Sequence, residues 1–334
     1  MQECRAPIGA AAAVDADEAE GADTRALAQP AHRAAGSFLA GAAWGVFAIS
    51  IWAGWFVLTR LDTATHLSAY DLVALRFGVS AIVLIPIAIR MRFGLGYVSW
   101  RNALALFAGS GVVYSLSTTV GVTYAPAAEG AALTPGVMPM ATALLSVLLL
   151  KERLTRSQIA GFSFILAGVI AIGGLGLFQS AHREWIGHIL FLTGAFLFAG
   201  YTIALRRSGL TGLEATALVS LWSSVVYLPV YLFALHPRLL DVPPASLILP
   251  ALYQGVLTNI VSLVAYARAV SILGPSRAAP FAALIPAVTA FLSILILGEF
   301  PSPADWAGIA AVTAGVYLAS RAPLRRHIGL GTVG

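Results

Sequence analysis

The chain has 334 residues, of which 59% are hydrophobic and 10% charged, and its net charge is +5. A soluble domain carries charge on about a quarter of its residues, so this composition excludes an ordinary soluble protein and points to a lipid bilayer as solvent. The basic excess then reports which loops face which side of the membrane, and no nucleic-acid partner is expected.

Residues 1–36 are rich in alanine and in small polar or acidic residues, and read as a disordered cytoplasmic tail. They lack a basic segment followed by an apolar core, so no cleaved signal peptide is expected. Cys4 is the only cysteine, which excludes an intrachain disulfide and a cysteine metal cluster. Apolar runs follow at about 37–58, 68–89, 102–124, 129–150 and 157–175. After the polar break QSAHRE they resume at about 185–205, 213–235, 247–270, 276–298 and 303–320, and residues 322–334 form a second cytoplasmic tail. Each run is near the roughly 20 residues that span a bilayer. The runs are continuous rather than alternating, so they predict ten transmembrane helices and not a β-barrel. Pro86, Pro135, Pro139, Pro229 and Pro286 interrupt them, as membrane helices tolerate.

With ten spans, sixteen of the twenty Lys and Arg fall on the side of the N-terminus, three on the other, and Arg76 inside a span. That bias predicts that both termini are cytoplasmic.

LSVLLLKE (145–152) returns as LSILILGE (292–299), 147 positions downstream. At the same offset Pro139 matches Pro286, Thr142 matches Thr289, Gly161 matches Gly308 and Gly168 matches Gly315. Upstream the offset becomes 143, relating Asp71 and Pro86 to Glu214 and Pro229. Two five-helix repeats result, 37–175 and 185–321. An odd number of spans forces the second copy to enter the membrane inverted. The charges agree: the loop after helix four carries Lys151, Arg153 and Arg156, and its counterpart EFPSPAD carries no cation. Inverted repeats are the architecture of secondary transporters, with the substrate near the midplane between the halves.

The segments ALRFGVSAIVLIP (74–86), ALLSVLLLKERLTRSQIAGFSFILAGV (143–169), RAAPFAALIPAVTAFLSILILGE (277–299) and WAGIAAVTAGVYLA (306–319) resemble the drug/metabolite transporter superfamily, specifically its EamA-type members. The likeness spans about 37–321. It implies a carrier for a small metabolite or drug, usually moved outward across the inner membrane. It also implies an arginine at position 76 whatever the substrate. Lys151 departs from the family, which more often has glycine there, and Glu129 departs from a position that is more often small or uncharged.

Arg76 lies inside helix two, where a buried cation must face protein or water. It reads either as a counter-ion for an anionic substrate group or as a structural cation. Glu129 begins helix four on the side where helix two enters. It could pair with Arg76, act as a coupling group, or complement the helix N-terminus. Glu152 and Glu299 end helices four and nine, the wrong sign for a helix C-terminus, so each is expected to be a structural joint held by other donors. Arg153 and Arg156 lie near Glu152; for Glu299 the expected donors are amides near Asp305 and Trp306. Trp44, Trp52 and Trp55 line helix one, and Trp44 and Trp55 are eleven apart and share a face. They read equally as a pocket wall or as lipid-facing residues. Tyr114 and Thr118 in helix three, and Gln254, Asn259 and Tyr266 in helix eight, suit a polar cavity or interhelical hydrogen bonds. The glycines of helices five and ten suit close packing, in the core or in a homodimer.

No metalloprotease, nucleophile-elbow or P-loop motif is present, and the histidines are not paired at ligand spacing. No catalytic residue, metal or cofactor is therefore expected. The reading is a multi-pass inner-membrane carrier for a small molecule. An intramembrane enzyme and a non-transporting scaffold or receptor are the alternatives.

Overall fold

The computed structural model describes residues 11–320 apart from 66, 95, 97, 180–182, 236 and 240; for 11–37, 173–179, 275 and 276 it describes the backbone alone. The C-terminal tail with Arg321, Arg325 and Arg326, together with residues 1–10, His66, His182 and His236, lies outside the described residues. Among the described residues the chain is all-α. Eight stretches are long and apolar enough to cross a membrane: Phe38–Thr65, Ala69–Arg90, Trp100–Tyr124, Ala127–Leu150, Glu184–Ser208, Gly212–Ala234, Pro244–Leu273 and Arg277–Leu297. The two remaining expected spans correspond to a shorter apolar helix, Arg156–Ile172, and to the helix packed along it.

Helix α1 runs Ala11–Thr65, and alanine, the strongest helix former, carries it back through the stretch read as a tail. Then follow α2 (Ala69–Arg90), α3 (Trp100–Ser110), α4 (Val112–Tyr124), α5 (Ala127–Leu133), α6 (Met138–Leu150) and α7 (Arg156–Gln179). The second half comprises α8 (Glu184–Ser208), α9 (Gly212–Ala234), α10 (Pro244–Ala251), a π-helical stretch (Leu252–Val261), α11 (Ser262–Leu273), α12 (Pro275–Ala282), α13 (Ile285–Leu297) and α14 (Pro303–Ser320).

Local chemistry repeats with the sequence. Ser68 and Asp71 form a capping box at the start of α2, and Thr211 and Glu214 form its equivalent at α9. Thr155 and Gln158 do the same before α7, and Ser302 and Asp305 before α14. Each box satisfies amides that a helix start leaves orphaned. The fourth and ninth spans each break just before a proline: α5 gives way to α6 ahead of Pro139, and α12 to α13 ahead of Pro286. At their far ends Lys151 (φ 56°) and Gly298 (φ 67°) adopt the left-handed conformation. The amides of 151 and 152 turn back to the Ser146 carbonyl, and those of 298 and 299 to Ser293. This explains the glycine at 298, since only glycine takes that conformation without strain.

Packing carries the same symmetry. Helix α1 lies against α11 and α8 against α4, so the first helix of each half rests on the third span of the other. Helices α7 and α14 cross on their glycines. A Cβ on Gly161 would come within 2.6 Å of the Gly315 carbonyl oxygen, and one on Gly168 within 2.7 Å of that of Gly308. Because Gly161 is equivalent to Gly308 and Gly168 to Gly315, these two contacts are one contact seen twice across a pseudo-two-fold axis. The glycine rows therefore join the halves of a single chain. The main core gathers α1, α5, α8 and α13 around Phe56, Leu133, Phe191 and Ile285. All seven residues of α5 are buried, and small side chains let it sit there. Ile82, Val225, Phe233 and Phe291 face outward, as a bilayer-facing surface requires.

Candidate functional site

Arg76 projects from α2 into the middle of the bundle. Its guanidinium carbon lies 5.8 Å from the centre of the Trp55 ring, a cation–π approach, and Tyr114 of α4 is its electrostatic neighbour. Its Nε is buried and has no hydrogen-bond partner among the described residues. A buried guanidinium nitrogen without an acceptor is costly, and it is the atom that a carboxylate or other anion would satisfy.

The wall beside it is organised by Gln254, which is 2% exposed. Trp55 Nε1 donates to Gln254 Oε1 at 2.7 Å, and Gln254 Nε2 donates to Thr59 Oγ1 at 3.0 Å. One turn on from Arg76, Ser80 donates to the Gly255 carbonyl at 2.7 Å and accepts from Asn259 Nδ2 at 2.9 Å. Gln254, Gly255, Thr258 and Asn259 all lie in the π-helical stretch. Its wider turn shows in Thr258, whose hydroxyl reaches the Tyr253 carbonyl five residues back at 2.8 Å. Such turns recur at functional sites. Gly255 also lets α2 approach: a Cβ there would meet that of Val79 at 2.5 Å. Tyr266 packs on Trp52, their ring centres 5.3 Å apart.

The structure thus brings Arg76, Trp55, Tyr114, Gln254 and Asn259 into one region. Thr118 is buried but turned toward α8 at Gly194, and its hydroxyl bonds to its own helix at the Tyr114 and Ser115 carbonyls. Trp44 stands apart from Trp55, 41% exposed against 5%, with its ring edge-on to Phe47.

The helix-ending glutamates have partners other than those expected. Glu299 Oε1 is bound by Arg60 Nε at 2.9 Å, and its Oε2 accepts from the Ala127 amide at 3.4 Å. The amides near Asp305 serve the Ser302 cap instead. Arg60 also donates to the Val122 carbonyl at 2.7 Å, so this pair ties α1, the α4–α5 turn and the end of α13 together. Glu152 faces Arg206 at 3.7 Å rather than Arg153 or Arg156. Arg60 and Arg206 are themselves equivalent, 146 apart at the ends of α1 and α8. Each half therefore offers its arginine to the glutamate of the other.

Glu129 does not pair with Arg76. Its Oε2 lies 2.5 Å from His188 Nε2, with the two side chains 8% and 10% exposed. His188 was not legible as a partner, because it lies 59 residues away on a different helix. The signal available was an isolated histidine inside an apolar run. No group of metal-ligating residues exists among the described residues.

Residues 39–174 and 185–321 each match the EamA-like transporter family. The chain is 29% identical over 235 residues to the "Probable terminal-alkyne amino-acid exporter" of Streptantibioticus cattleyicolor, spanning 69% of this chain and 77% of that one. It is 25% identical to an uncharacterized transporter of Bacillus subtilis over 70% of this chain and 79% of the relative. It is 29% identical to the "Probable amino-acid metabolite efflux pump" of Salmonella typhimurium over 53% and 62% of the two chains. A crystal structure superposes with a TM-score of 0.56 at 20% identity, over 84% of this chain and 96% of that one, a likeness of fold.

Proposed function

This chain belongs to the EamA-like transporter family, and from that premise we propose that it exports an amino acid or a related carboxylate-bearing metabolite across the inner membrane. It is a membrane transporter, not an enzyme. The observation that carries an anion-binding position is Arg76, whose buried Nε has no partner among the described residues and stands beside an aromatic and amide wall; an arginine there is expected whatever the substrate, so the amino-acid class rests on the relatives. Two relatives named for amino-acid or amino-acid-metabolite export support the same class. In this reading the substrate carboxylate lies on Arg76, Trp55 and Tyr266 cover its apolar part, and Asn259 orients it. The Lys and Arg bias of the loops supports a cytoplasmic Glu152 end and an outer Glu299 end. Export proceeds by alternating access, with the halves rocking about the α7–α14 glycine crossing. The Arg60–Glu299 and Arg206–Glu152 pairs close the two mouths in turn.

The test is Arg76→Ala beside Arg76→Lys. Charge-assisted hydrogen bonds contribute about 1.5–3 kcal/mol, so the alanine variant loses about 10- to 100-fold in flux. Lysine, which keeps the charge but not the planar fork, retains part of it. Flux is read as labelled amino-acid transport in proteoliposomes and as metabolite release by overexpressing cells. Unchanged flux at a normal membrane level would overturn the assignment.

A further inference from the structure

The glutamates that end α6 and α13, their arginines and the capping boxes all occur twice, but the Glu129–His188 pair occurs once. At the repeat offset of 147 Glu129 corresponds to Ser276, and at the offset of 146 that relates the two arginines His188 corresponds to Ala42. Nothing in the shared architecture therefore calls for this pair. It joins α5 of the first half to α8 of the second, the boundary across which a rocking carrier must change its contacts. A carboxylate this deeply buried needs a cation. Its partner is an imidazole, the side chain whose charge changes near neutral pH.

The pair is within reach of water. Glu129 lines a cavity of about 210 Å³ together with Ser293, Glu299, Asp305, Pro126 and Phe300. Ser293 is 0% exposed, and its hydroxyl has no partner among the described residues. The charged groups that face the pair are Asp305 at the start of α14 and Glu184, one turn before His188 on α8. Across the cavity stands Glu299, neutralised by Arg60. The surroundings are thus net acidic.

We propose that Glu129 and His188 form a proton-binding site that couples export to the proton gradient. This rests on the carrier reading above. The step is a simple proton transfer. In the closed pair the two groups share one proton and the net charge is zero. A proton from cavity water adds to the pair, leaving a carboxylic acid beside an imidazolium with a net charge of +1. The tie between α5 and α8 is then lost, and the halves are free to part. Release of that proton to water restores the tie.

Two measurements test this, and the first needs no substrate. Infrared difference spectra between acid and neutral pH are recorded on the purified full-length protein, on E129Q and on H188Q. The expected result is a protonated-carboxyl band in the wild type that is missing in E129Q and shifted in H188Q. A spectrum unchanged by both variants would overturn the site. E129D, which keeps the acid, is expected to retain the band and guards against a folding artefact. The second measurement uses proteoliposomes with a panel of labelled amino acids. One pH unit sustains about tenfold accumulation in a one-to-one exchange. The wild type is expected to reach it, and E129Q to equilibrate without accumulating. Flux that ignores the gradient in the wild type overturns coupling and leaves the carrier standing. Absence of flux for the whole panel overturns the amino-acid reading and leaves the infrared result to decide the site.

Discussion

The Glu299 end and the Glu152 end of the molecule share one backbone ending and differ in what grips it. Glu299 is bound by Arg60 at 2.9 Å, with both side chains 27% exposed, and the same arginine holds the carbonyls that end α4. Glu152 has Arg206 at 3.7 Å, with side chains 34% and 40% exposed. The capping boxes differ in the same sense. Asp71 is fully buried and also accepts from the Tyr231 hydroxyl and the Arg238 amide. Its counterpart Glu214 bonds to Thr211 within its own box, and Tyr231 corresponds to Ala88 in the other half. The Glu129–His188 pair adds a third tie at the Glu299 end. Duplication keeps the elements that set backbone geometry, because a helix end needs the same cap wherever it lies. Divergence acts on side chains that reach across space, and these decide which mouth is bolted.

The comparison breaks most sharply at the buried pair. Removing one partner of a buried ion pair costs about 3–5 kcal/mol. Glu129→Ala and His188→Ala are each expected to lower the Tm of the solubilised protein strongly. The apolar double variant Glu129→Leu/His188→Leu should be less damaged than either, and equal damage in all three would show that packing rather than charge holds this end. Next is Tyr231→Phe, which takes a hydroxyl from a buried carboxylate at a cost of about 1–3 kcal/mol. Thr211→Ala at the opposite box removes an N-cap worth about 1 kcal/mol, so unfolding titrations should rank the first above the second. Glu299→Gln is expected to cost about 1 kcal/mol and Glu152→Gln a few tenths, as their exposure implies. Maleimide labelling of cysteines introduced near Thr123 and Leu149 should then rise only at the Glu299 end; an equal rise at both would remove the asymmetry. Smallest is Lys151→Gly, expected to stabilise by about 0.5–1 kcal/mol, because a residue with a Cβ is strained in the left-handed turn. Gly298→Ala should do the reverse by a similar amount.

Much of this fold is legible in the sequence because it depends on neighbours. Capping at 68–71, 155–158, 211–214 and 302–305 uses residues three apart. The breaks before Pro139 and Pro286 and the turn at Gly298 follow from single residues. The count of spans depends on more than neighbours. It rests on length and apolarity together, and the fifth and tenth helices are the ones that lean on each other through glycine. In the central site the residue types were readable but not their combination. Arg76, Tyr114, Gln254 and Asn259 were each visible as polar groups in spans. That Trp55 bonds Gln254 while Trp44 stays outside was not, since both tryptophans share a face of α1 and only the packed neighbours distinguish them.

By itself, then, the sequence determined that this chain lives in a bilayer, repeats itself inverted, and ends two helices alike. Composition, charge bias and short-range caps are properties of the chain read along its length. Only the tertiary structure decided who holds whom. Arg60 meets Glu299 across 239 residues, Trp55 meets Gln254 across 199, and His188 meets Glu129 across 59. These partners are set by how helices cross. A side chain buried in a bilayer takes whatever complementary group the crossing brings within about 3 Å, however far away it lies in the chain.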